Sequence, residues 1–86
     1  MSRGEQMLAD LGYEVITNTP DYKFFRKNNL GDYFSERDCF EIEFNVAEDF
    51  VDKQLFDRSA PCHMTTDLDF DELLACAEIV KEIRER

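Results

Sequence analysis

The stretch Cys39-Phe40-Glu41-Ile42-Glu43-Phe44-Asn45-Val46 alternates apolar and polar side chains through its length. A period of two sends successive side chains to opposite faces of a pleated strand. Phe40, Ile42, Phe44 and Val46 are therefore expected to face a core, and Glu41, Glu43 and Asn45 to face out. One dry face and one wet face is the pattern of an antiparallel sheet. Upstream, Tyr13-Glu14-Val15-Ile16-Thr17 and Tyr22-Lys23-Phe24-Phe25-Arg26-Lys27 are β-rich, and the turn residues Asn18-Thr19-Pro20-Asp21 between them make a hairpin. Asn28-Asn29-Leu30-Gly31-Asp32 marks the next turn.

Helical spacing brackets the β-rich middle. Met7, Leu8 and Leu11 repeat at helical intervals, and Gly12 stands where a short helix needs a left-handed stop. Near the other end, Phe70, Leu73, Leu74, Ala77, Val80 and Ile83 form an apolar stripe that is expected to face the core. Asp71 and Glu72 in its first turn and Lys81, Arg84 and Arg86 in its last suit the helix dipole. Asp69 followed three residues later by Glu72 reads as a variant of the capping box. Residues from Ala47 to Arg58 fit either a helix through Ala47, Phe50, Val51 and Leu55 or a fourth strand over Lys53 to Ser59, and the β-rich context favours the strand. The expected fold is α+β: a three- or four-stranded antiparallel sheet packed against N-terminal and C-terminal helices, in a single domain spanning residues 1–86.

The chain's 86 residues allow only a small core, and eight Phe and three Tyr supply most of its bulk. No apolar run reaches the length of a membrane span, and Met1-Ser2-Arg3-Gly4-Glu5 lacks the order of a signal peptide, so a cytoplasmic location is expected. Three cysteines, Cys39, Cys62 and Cys76, cannot all pair and suit a reducing compartment. The formal net charge is −10 and is unevenly spread: residues 31–80 hold fourteen acids against Arg37, Lys53 and Arg58. A field of that sign repels nucleic acid and steers toward basic surfaces.

Chemistry-bearing constellations are scarce. His63, the only histidine, sits in an expected loop beside Cys62, and sequence adjacency does not make a catalytic pair. Cys39, Cys62, His63 and Cys76 lack the paired spacing of a zinc site. Asp67, Asp69, Asp71 and Glu78 fall at positions 1, 3, 5 and 12 of an EF-hand, but position 6 is Glu72 where the loop turns on Gly. Neither a phosphate-cradling loop nor a hydrolase or metalloprotease motif is present. No enzyme activity, metal or cofactor is expected.

Two binding surfaces are legible. In the first, carboxylates imitate phosphates: Glu41 and Glu43, two apart on a strand, stand ~6.6–6.8 Å apart, close to a nucleic-acid phosphate spacing. Asp49, Asp52, Asp67, Asp69 and Asp71 extend that row if the fold brings them to one side. In the second, Tyr22, Lys23, Phe25, Arg26 and Lys27 form a basic and aromatic patch that meets nucleic acid or a partner directly, although the overall charge opposes nucleic acid.

The order of a helix, Leu11-Gly12-Tyr13-Glu14, alternating strands with Phe40-Glu41-Ile42-Glu43-Phe44, and a closing helix with Glu72-Leu73 and Ile79 resembles the small acidic proteins carried by phages and prophages of Firmicutes-type bacteria. The resemblance covers nearly the whole chain. It implies an anti-CRISPR or other anti-defence inhibitor that occupies a nucleic-acid site on a host effector inside the bacterial cell, and it carries no functional residues onto this chain. The expected function is thus inhibition of a host nuclease or defence complex by nucleic-acid mimicry, with the basic groove of a host protein as partner and neither nucleic acid nor membrane bound directly. The alternative is a non-catalytic interaction module, adaptor or antitoxin-like, whose acidity only aids solubility and which is open to homodimer formation.

Overall fold

A computed structural model describes residues 1–59 and 62–85. It contains, in chain order, helix α1 (Arg3–Asp10), strands β1 (Glu14–Asn18), β2 (Tyr22–Lys27), β3 (Asp38–Asn45), β4 (Phe50–Asp57) and β5 (Cys62–Thr65), and helix α2 (Phe70–Arg84). The strands form one antiparallel sheet in the order β1-β2-β3-β4-β5. Each strand pairs with its neighbour in the chain, so no connection crosses over the sheet.

The alternating stretch is the central strand, as its pattern requires. Register places Phe25, Ile42 and Lys53 side by side on one face, with Lys23, Phe44 and Val51 in the next row and Lys27, Phe40 and Leu55 beyond them. Both helices cover this face. They run antiparallel: Ser2 at the start of α1 hydrogen-bonds Glu82 near the end of α2, while Tyr13, just after α1, reaches Glu72 in the first turn of α2. Leu8, Tyr13, Phe25, Ile42, Phe44, Ala75, Cys76 and Ile79 close the core between helices and sheet. The rings of Phe25 and Phe44 meet edge to face at 5.8 Å. The helices approach closely at Gly4, where a Cβ would lie 2.8 Å from the Ile79 backbone nitrogen.

Local signals explain the boundaries. Ser2 and Glu5 form a capping box at the start of α1, and Asp69 and Glu72 form another at the start of α2. Gly12, at φ 99°, makes the left-handed stop after α1 that its position calls for. In β1, Val15 pairs with Phe25 and Thr17 with Phe24, leaving Ile16 as the extra residue of a bulge. Among the described residues no helix is long and apolar enough to cross a membrane.

Four expectations need correction. The sheet has five strands where three or four were expected: Cys62–Thr65, assigned to a loop, forms a short edge strand with every residue exposed and hence no alternation to betray it. The ambiguous stretch forms a strand, Phe50–Asp57, beginning three residues earlier than Lys53. The first half of the stripe on α2 is turned away from the core, while Val80 and Ile83 pack against it. Phe70 is 87% exposed, Leu74 62% and Leu73 52%, whereas Glu72, Ala75, Cys76 and Ile79 are buried. Val80 and Ile83 are half-buried, and Arg86 lies outside the described residues. The cause is Glu72. Its carboxylate takes Lys53 Nζ at 2.7 Å and the Tyr13 hydroxyl, so this helix face turns inward despite carrying an acid. The fourth correction concerns the basic and aromatic patch. Lys23 and Phe25 are buried under the helices, while Tyr22 and Arg26 lie on the opposite face, because consecutive residues of a strand cannot share one surface.

Candidate binding surface

Among the described residues, no helix or strand covers the other face of the sheet. Alternation along each strand sets what it displays: Tyr22, Phe24 and Arg26 from β2, Cys39, Glu41, Glu43 and Asn45 from β3, Asp52, Gln54 and Phe56 from β4, and His63 from β5. Part of this face is hollowed into a groove of about 380 Å³, lined by Tyr22, Phe24, Arg26, Glu41, Glu43, Gln54, Phe56 and His63.

Aromatic rings form the groove walls. Tyr22 and Phe24 stack at 6.2 Å, and His63 stacks on Phe56 at 4.5 Å with 24° between the ring planes. Between these pairs lie the carboxylates of β3. Glu41 is only 4% exposed, so its expected outward position holds for the face but not for access to water. Arg26 lies over it, donating from Nε at 3.1 Å and Nη2 at 2.8 Å to the same carboxylate oxygen. The same guanidinium sits 5.7 Å from the Phe24 ring centroid. His63 Nδ1 approaches the other Glu41 oxygen at 3.7 Å, an ion pair whenever the imidazole is protonated. The groove thus already holds one guanidinium between a carboxylate and an aromatic face, the arrangement such a cation prefers.

Glu43 is placed differently. It is half-buried and accepts the Tyr22 hydroxyl at 2.5 Å. Desolvation and then this bond push the Tyr22 phenol up to about 12. Directly across the strand pair from Glu43 stands Asp52, which accepts from Gln54 Nε2 at 3.0 Å. The ion pairs of the described residues include neither acid. Like charges directly opposite on one sheet face destabilise the pair. The face therefore carries a concentration of negative charge that its own cations leave uncompensated. At its edge, burial pushes the Cys39 thiol up, away from the reactive thiolate.

The seven acids singled out from sequence do not make one row. Glu41, Glu43 and Asp52 share the uncovered face, with Glu41 committed to Arg26. Asp49 sits in the turn between β3 and β4 in a left-handed conformation, and its 84% exposed side chain lies 3.7 Å from Arg84. Asp67, Asp69 and Asp71 gather at the start of α2, on the helix side, where the Asp69 carboxylate accepts from the Glu72 amide at 2.8 Å. Of the groove's aromatic residues, Tyr22 was singled out from sequence as part of the basic and aromatic patch, while Phe24, Phe56 and His63 were missed as binding residues. Reading Tyr22-Lys23-Phe24-Phe25-Arg26 with period two would have put Tyr22, Phe24 and Arg26 together, whereas Phe56 and His63 meet only through the pairing of β4 with β5. Among the described residues no three metal-binding side chains gather into a site. No match to the chain is found among family models, curated proteins or solved structures.

Proposed function

We propose that this chain is a non-catalytic binding protein whose uncovered sheet face occupies a basic, nucleic-acid-binding groove of a host nuclease or defence complex, as the phage-borne inhibitors it resembles would do. The reading rests on one observation: among the described residues, Glu43 and Asp52 oppose each other on a face with no covering element and form no ion pair with a cation. An arginine or lysine from a partner relieves that repulsion on arrival. Aromatic walls add stacking surface for a guanidinium, and Arg26 on Phe24 is an internal precedent. The net charge of −10 speeds encounter with a basic cleft, and any nucleic acid competing for the same cleft is excluded by occupancy alone.

The test is capture from a nuclease-treated bacterial lysate with the tagged chain, beside a Glu43→Gln/Asp52→Asn variant. Retention of one nucleic-acid-processing complex, released by added nucleic acid and lost in the variant, is the expected result. A complex retained equally by the variant would remove the sheet face from the account. A second reading, an interaction module whose acidity only aids solubility, draws on the exposed apolar side chains of α2. Its binding would be nearly indifferent to salt, whereas binding by the sheet face weakens as salt rises.

A further inference from the structure

Phe70, Leu73, Leu74 and Ala77 lie exposed on the outer side of α2, with no described element over them. At 87%, 52% and 62% exposure, the three large side chains form a contiguous apolar helix face, unlike the scattered single hydrophobes of an ordinary surface. The stripe does not end with Ala77. Phe70, Leu74, Ala77, Lys81 and Arg84 follow one another at alternating intervals of four and three, the spacing of a helix–helix seam. Its first half is apolar and its last half basic, while Asp67, Asp69 and Asp71 flank its start.

We infer that this face binds a second copy of the chain, α2 against α2, antiparallel about a two-fold axis. The charge pattern selects that occupant. With Leu74 of one copy against Ala77 of the other, the same register sets Phe70 on the aliphatic stem of Lys81 and Arg84 opposite Asp67. Every such contact occurs twice, as a closed two-fold interface requires. A parallel pairing would set acids against acids and bases against bases, and it would align the helix dipoles unfavourably. Long-range repulsion between two chains of net charge −10 is screened within about 8 Å at physiological salt, leaving the local pairs to decide. A contact confined to one helix per copy lies at the small end of interface sizes, so association of micromolar order is expected. The inference is independent of the sheet-face function, because the two surfaces lie on opposite sides of the molecule.

Sedimentation velocity across the micromolar to millimolar range tests it, with reductant present because Cys62 is exposed and would otherwise crosslink copies. The wild-type chain should pass from monomer to dimer. Leu74→Glu should raise the dissociation constant at least tenfold while leaving the circular dichroism spectrum unchanged and the urea midpoint nearly so, since most of the side chain is exposed in the monomer. Two charge variants supply a second arm: Asp67→Lys/Asp71→Lys and Lys81→Glu/Arg84→Glu should each be monomeric alone and should form a heterodimer when mixed. A wild-type chain that stays monomeric to millimolar concentration would leave the face to a different protein and overturn the inference. So would a dimer that survives Leu74→Glu, or a mixture of the two charge variants that stays monomeric.

Discussion

Glu72 accepts hydrogen bonds from its own N-cap amide at 3.0 Å, from Lys53 Nζ at 2.7 Å and from the Tyr13 hydroxyl, although only 3% of the residue is exposed. Lys53, itself 6% exposed, also sits 4.0 Å above the Phe40 ring. Removing one member of such a group leaves a buried charge without its counter-charge, whereas replacing both partners by apolar side chains is tolerated far better. Lys53→Met is therefore expected to cost about 3–5 kcal/mol, and Lys53→Met/Glu72→Met markedly less, in urea denaturation. A double variant as unstable as the single would contradict this. Alkali probes the same core. Burial, and then the charge of Glu72, push the Cys76 thiol from 9.0 up to about 12, and burial and the bond to Glu72 push the Tyr13 phenol up as well. Both groups keep their protons in the fold after the unfolded chain has begun to lose them. The contribution of Cys76 is thus complete below pH 9.0 and is lost as pH rises through about 12, and that of Tyr13 begins to be lost above 10.0. The urea midpoint should fall over that window, and Cys76→Ala should delay the onset; a flat profile would show that neither group is held protonated.

At the scale of elements, legibility followed periodicity. The strand around Ile42 was readable because apolar and polar residues alternate along it, and β2 because aromatic residues crowd it. β5 was unreadable because neither face of an exposed four-residue edge strand is dry. On α2 the first half of the hydropathy stripe pointed to the wrong side: an apolar face marks something to be buried without saying by what, and a paired Glu72 buries as firmly as a leucine. The S-x-x-E signature at Ser2 and Glu5, which fixes the start of α1, stood in the sequence unread. The orientation of α2 makes a contrast that stability measurements can check. Ile79→Ala, at a fully packed site, should cost about 2–5 kcal/mol, while Leu74→Ala should stay within about 0.5 kcal/mol at monomeric concentrations. Equal losses at the two positions would mean that the helix packs by its other face.

For the whole molecule, part of the −10 charge gathers in two groups on different sides: carboxylates set among aromatic rings on the uncovered sheet, and Asp67, Asp69 and Asp71 around the first turn of α2. Sequence gave the sign and amount of that charge. Its division depended on which strand pairs with which, because Asp52 meets Glu43 only through the register of β3 with β4. The two groups differ in kind. Asp69 caps α2 and Asp71 sits in its first turn, where the helix dipole favours an acid, whereas Glu43 and Asp52 face each other with no counter-ion among the described residues. Amide chemical-shift mapping with a hexa-arginine peptide distinguishes them most directly. The account predicts salt-sensitive shifts concentrated on Tyr22, Phe24, Glu43, Asp52 and Phe56, and their loss in Glu43→Gln/Asp52→Asn. Shifts confined to Asp67, Asp69 and Asp71, or spread evenly over every acidic residue, would contradict it.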